Sequence, residues 1–128
     1  MTRFSDNDLK HAFTEFNTKY FRFGKKKMSH LLSVEWHRFE GSESGVMGDM
    51  NQVVPSPLCD GWVSAYKIRI NREYKDRREW RTWMLTLLHE MAHFKLAGID
   101  PGKDLCNSRM FNREMKRLAN AGALNGLW

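Results

Sequence analysis

The stretch Leu87–Leu96 is "LLHEMAHFKL". His89 and His93 stand four apart with Glu90 beside the first, in the pattern H-E-x-x-H. On an α-helix, residues four apart lie one above the other on the same face. Both imidazoles can therefore point at a single ion. Zinc takes imidazole nitrogen and, in catalytic sites, keeps one position open for water. The ion makes that water acidic enough to lose a proton near neutral pH. Glu90 lies about 100° around the helix from His89. That is a poor position for the same ion but a good one for a general base acting on the water. With 5 histidines in 128 residues, the pattern arises by chance in roughly one such chain in a hundred. The plain alternative is two surface histidines on a helix with a glutamate between them.

The motif sits late in an expected helix from about 77 to 97. Trp80, Trp83, Met84, Leu87, Leu88 and Met91 make its apolar stripe, which reads both tryptophans as core, and Gly98 is placed to end it. The segment "IDPGKDLCN" then leads to a last helix from about 108 to 120. Met110, Phe111, Met115 and Leu118 are its apolar positions, and Gly122 closes it. Upstream, Leu9, Phe13, Phe16 and Tyr20 give one apolar face to a helix over 6–21, with Ser5 or Asp6 as its cap. Alternation marks strands at 30–39 (Leu32, Val34, Trp36 on one face) and 63–71 (Tyr66, Ile68, Ile70 on one face). A short strand at 45–50 would complete a small antiparallel meander. The stretch 41–61, with four glycines and two prolines, is the only loop-like region of any length. The order helix, small sheet, helix, helix reads as a single α+β domain over 1–128.

Composition excludes several classes. Hydrophobic residues are 41% and charged residues 28%, as in a soluble globular domain. No apolar run approaches the roughly 20 residues that span a bilayer. The opening "MTRFSDNDLKH" lacks the apolar run of a signal peptide, so an intracellular, cytoplasmic protein is expected. Cys59 and Cys106 are too few for a disulfide scaffold. Lys plus Arg is 21 against 15 for Asp plus Glu, a formal charge of +6. The excess gathers in three clusters. These are Lys25–Lys27; Arg69, Arg72, Lys75, Arg77, Arg78 and Arg81; and Lys103, Arg109, Arg113, Lys116 and Arg117. Such clusters can follow phosphates, though they also occur as ordinary solvated surface.

With these residues in view, "WRTWMLTLLHEMAHFKL" followed by "FNREMKRLANAGALNGLW" resembles the SprT-like family of zinc metallopeptidase domains, the group that includes Spartan. "DLKHAFTEFNTKYF" is similar to the family's opening helix, and the strand ending "KIRIN" to the sheet before its zinc helix. The resemblance spans nearly the whole chain, least securely 41–61. It implies a zincin-like fold, zinc, and peptide-bond hydrolysis, in some members of proteins attached to DNA. It assigns His89 and His93 as metal ligands and Glu90 as the catalytic base. With two cysteines in all, these residues cannot build the zinc ribbon that some members carry.

The third ligand departs from the family pattern, in which a histidine opens the next helix in a run like H-G-x-x-F, then E-M-x-x-L. Here Phe111, Glu114, Met115 and Leu118 set the frame, and counting back four from Phe111 reaches Asn107. No histidine follows His93. An amide oxygen is a weak zinc ligand. Asn107 is also a natural helix cap. Cys106 next to it, or a carboxylate from Asp100, Asp104 or Glu114, are the other choices. Among the remaining histidines, His11, His30 and His37 read as surface residues. Tyr66 and His37 are the candidates for steadying an oxyanion. Two functions follow. One is an active zinc peptidase acting on protein or peptide. The other is a catalytically weak zincin-fold module that docks nucleic acid or a protein partner through its basic surface.

Overall fold

The structure, a computed structural model, describes residues 4–43, 45–53, 65–76, 80–96 and 109–124. Helix α1 spans Asp6–Phe16 and opens with Ser5 as its cap. The Ser5 hydroxyl accepts from the Asp8 amide at 3.2 Å, and the Asp8 carboxylate accepts from the Ser5 amide at 2.7 Å. This reciprocal pair satisfies two amides that a helix start leaves unmet. The expected helix to residue 21 is α-helical only to Phe16, then widens into a π-helical turn over Asn17–Phe21. The turn ends at Arg22, whose φ of 53° is left-handed. Asn17 holds the exit, its side-chain oxygen accepting from the Phe23 amide at 2.7 Å. A short helix α2, Lys25–Met28, leads to strand β1, Leu31–His37.

Strand β2 is Gly48–Val53 and strand β3 is Ala65–Asn71. The sheet is mixed, and the expected antiparallel meander does not form. Its order is β1-β3-β2, with β1 parallel to β3 and β2 antiparallel to it. Alternation along a strand specifies which face is buried, not which strand is the neighbour. β3 carries the most continuous apolar side, with Ile68 and Ile70 fully buried and Tyr66 nearly so, and it takes the centre. Val34 pairs with Ile68, Trp36 with Ile70, and Met50 with Ile68, so one face is apolar across all three strands. The register of β1 shifts between Leu31 and Ser33. This irregularity turns Leu31 onto the core and leaves Leu32 54% exposed, the reverse of the expected alternation.

Helix α3, Trp80–Leu96, lies across the apolar face of the sheet. It is buried on two sides rather than along one stripe. Trp83, Leu87, Met91 and Phe94 enter the core formed with α1 and the sheet. Leu88, Ala92 and Leu96 enter a second core with helix α4, Arg109–Asn120, through Phe111 and Leu118. Trp80, expected in the core, is 41% exposed, and Met110 on α4, expected among its apolar positions, is 37% exposed. Gly122 ends α4 as expected. Its φ is 87°, its amide bonds to the Ala119 carbonyl at 3.1 Å, and the Ala123 amide reaches the Leu118 carbonyl at 2.9 Å. This pairing is a Schellman closure, which requires the left-handed glycine. Gly98, expected to end α3, lies outside the described residues. Among those described, no helix is long and apolar enough to cross a membrane.

Candidate metal centre

Helix α3 delivers His89, Glu90 and His93 at the junction of the two cores. His93 is buried, His89 half-buried, and Glu90 buried in the wall between α3 and the sheet. The two imidazoles converge, with their Nε2 atoms 3.2 Å apart. Two nitrogens sharing one tetrahedral zinc at its usual bond length would be about 3.3 Å apart. Burial pushes the His89 imidazole below the ordinary histidine range, which favours its neutral form. Neutral imidazole is the form that ligates a metal.

Phe111, near the start of α4, packs on both imidazoles. Its ring stacks on His93 with centroids 4.3 Å apart and meets His89 at 4.9 Å and 65°. α4 is held in place by Glu114, whose carboxylate accepts from Lys95 of α3 at 2.5 Å and from the Arg117 Nε at 2.8 Å. Burial alone would raise the Glu114 pKa, but the hydrogen bonds and charges of Arg117 and Lys95 outweigh it and hold the group below the ordinary range. Glu114 was one candidate for the third ligand. In the structure its carboxylate is engaged by two cations instead. Asn107, Cys106, Asp100 and Asp104 lie outside the described residues. Among the described residues, no group of three or more His, Cys, Asp or Glu is placed to hold a metal ion.

On its other side, α3 faces β2 across a cleft of about 340 Å³ lined by Met47, Gly48, Leu85, Thr86, His89 and Glu90. Gly48 makes the close approach of strand to helix possible. A Cβ there would come within 2.7 Å of the Thr86 methyl and 2.9 Å of the Arg69 carbonyl. Thr86 turns that methyl toward β2 while its hydroxyl donates to the Thr82 carbonyl at 2.8 Å. Burial, and then the charge of Asp49 on β2, push the Glu90 carboxyl up to about 8. Asp49 is fixed by a two-pronged pairing with Arg69, whose Nε donates to it at 2.7 Å. Arg69 also lies 3.3 Å from the His37 Nε2.

The other expected site residues sit elsewhere. Tyr66 is buried against Phe94, and His37 packs on Phe39 beside Arg69. Neither lines the cleft. His11 is exposed as expected, with 82% of its side chain open to solvent. A wider hollow of about 620 Å³ lies where β1 and β3 end, lined by residues including Arg38, Asn71 and Arg72, and carries none of the motif residues. Within the basic clusters, Arg69 and Arg117 are paired with carboxylates, and the Lys27 ammonium lies 4.5 Å over the Phe94 ring.

The cleft walls and Phe111 adjoin the motif residues through contacts that spacing around H-E-x-x-H does not express. A glycine inside the expected strand 45–50 was the available signal for the first, since such a glycine often marks a close approach. Phe111 was visible only as part of the frame of α4. No family model matches the chain, and no curated protein matches it.

Proposed function

We propose that this chain is a zinc-dependent metallopeptidase of the SprT-like kind, with His89 and His93 as two metal ligands and Glu90 as general base. The observation that carries the reading is the 3.2 Å separation of the two Nε2 atoms. It matches the spacing of about 3.3 Å expected for two imidazoles on one tetrahedral zinc. The third ligand is drawn from the segment holding Asp100, Asp104, Cys106 and Asn107. A bound zinc ion supplies Lewis acidity, polarising the scissile carbonyl and making water a nucleophile at neutral pH.

The remaining steps belong to the protein. Glu90 takes a proton from the attacking water and returns it to the leaving amine. Without a cation beside it, the buried carboxyl holds its proton at neutral pH. Beside a metal held by His89 and His93, Glu90 would instead be ionised, the form that can act as base. Among the described residues β2 is an edge strand, and adding an extended peptide to such an edge is how strand addition binds substrates. Met47 and Leu85 give the adjoining cleft an apolar lining suited to an apolar side chain near the scissile bond. The test is Glu90→Gln. It should retain zinc and lose cleavage of an unfolded protein substrate; undiminished cleavage would end this mechanism.

A second reading, a nucleic-acid or protein-binding module on the same fold, draws on α4. Arg109, Arg113 and Lys116 are exposed at successive turns of that helix. Three cations in such a row can follow a phosphate backbone. In the peptidase reading the same row serves substrates bound to DNA. The module alone would bind DNA with strong salt dependence, carry no zinc, and be indifferent to His93→Ala.

A further inference from the structure

The Phe111 ring closes a triangle with the two imidazoles. His89 and His93 lie with ring centroids 4.8 Å apart at 70°, and Phe111 is 4.9 Å from the first and 4.3 Å from the second. Against His93 the two planes are only 22° apart, a face-to-face stack. Phe111 is itself 4% exposed and embedded with Leu88, Ala92, Leu96 and Leu118. Its helix is fastened to α3 by Glu114, bridged to Lys95 two residues beyond His93. The ring therefore has little freedom of its own.

A histidine side chain turns about two bonds, and the second of these is a broad torsion. Helical spacing brings two imidazoles to one face, but it does not fix their planes. Convergence of the two Nε2 atoms needs those planes held. A stacked ring on one imidazole and an edge-on contact to the other restrict that rotation at both. We infer that Phe111 is a positioning residue for the metal centre. Locked by the docking of α4, its ring sets the planes of His89 and His93 so that both Nε2 atoms address one ion. The inference rests on the zinc reading above. It also makes α4 part of the metal site through Phe111, whichever residue supplies the third ligand.

The experiment is a titration of the metal-free full chain with Co²⁺, followed by its visible absorption bands, with Zn²⁺ affinity measured by competition against a chromophoric chelator. Groups that orient ligating histidines matter about 10–100-fold in metal affinity, so Phe111→Leu should weaken binding by at least about tenfold and alter the Co²⁺ bands. Phe111→Tyr, which keeps the ring face, should restore both. Leu118→Ala, a deletion in the same core that leaves the Phe111 ring in place, should cost clearly less affinity than Phe111→Leu and keep the wild-type Co²⁺ bands. Phe111→Met replaces the leucine variant if that one does not fold. Wild-type affinity and bands in Phe111→Leu, or an equal loss in Leu118→Ala, would overturn the inference while leaving the zinc reading intact. A wild-type chain that takes up neither metal would overturn both.

Discussion

The Nε2 atoms of His89 and His93 lie 3.2 Å apart on the buried side of α3. In the metal-free protein this distance suits a single N–H···N hydrogen bond between the rings. An ion bound between them would replace that bond with two stronger contacts. Metal binding should therefore stabilise the fold by mass action, by about 2.7 kcal/mol at a free concentration 100 times the dissociation constant. Thermal melts with and without zinc measure this. The gain should vanish in His93→Ala and on addition of a chelator.

Glu90 gives a pH signature in the metal-free chain. Burial, then the charge of Asp49, raises its carboxyl from the ordinary range to about 8. The native state thus holds a proton that the unfolded chain releases near pH 4.5. The sign follows from linkage: the contribution is fully present below about pH 4.5 and is lost as pH rises through about 8. Denaturant midpoints measured across that window should fall with pH in the wild type and fall less steeply in Glu90→Gln.

Glu114 should behave in the opposite sense. Lys95 and Arg117 hold its pKa down against burial. Its contribution is present above the unfolded value and lost as pH falls through the lower folded one. Glu114→Gln should flatten stability at acid pH and cost about 1–2 kcal/mol near neutrality. That figure is below the range for breaking a fully buried pair, because both cations are partly exposed and can return to water. Chemical denaturation at pH 3 and pH 7 separates the two effects.

Gly48 is the tight point between β2 and α3. Gly48→Ala forces a Cβ to within 2.7 Å of the Thr86 methyl. Overpacking of this kind costs about 1–3 kcal/mol. Thr86→Ser removes the methyl and keeps the hydroxyl that bonds to Thr82. The double variant should recover part of the loss, a coupling that a double-mutant cycle reads directly. Recovery should be incomplete, because the Arg69 carbonyl remains 2.9 Å from the new atom. Strict additivity would mean that the strand-to-helix contact is not where the strain lies.

Much of this architecture was legible in the chain. The periodicity of Leu9, Phe13 and Phe16 marks α1, and the alternation of Tyr66, Ile68 and Ile70 marks β3. The position of Gly122 marks the end of α4. Each is a local pattern with a local cause. Sheet order was not legible, because alternation is silent about neighbours. The central place of β3 is a consequence of burying Ile68 and Ile70 on both flanks at once. Leu32 departs from the expected alternation because an irregularity in β1 exchanges it with Leu31. Trp80 is exposed rather than core because α3 is buried by two cores from Trp83 onward. At the candidate centre, H-E-x-x-H places two imidazoles and a carboxylate by spacing alone. What spacing cannot express is contact between elements. Examples are Phe111 against both rings, Asp49 near Glu90, and Glu114 committed to Lys95 and Arg117 rather than to the histidines.

Zinc-edge X-ray absorption on the full chain loaded with one equivalent of zinc reads directly whether His89 and His93 ligate one metal ion. Two imidazole nitrogens are expected at about 2.0–2.1 Å from the metal, with the two-imidazole signature lost in His93→Ala. A chain that retains no zinc, or a spectrum with the same two-imidazole signature in His93→Ala as in the wild type, would contradict it.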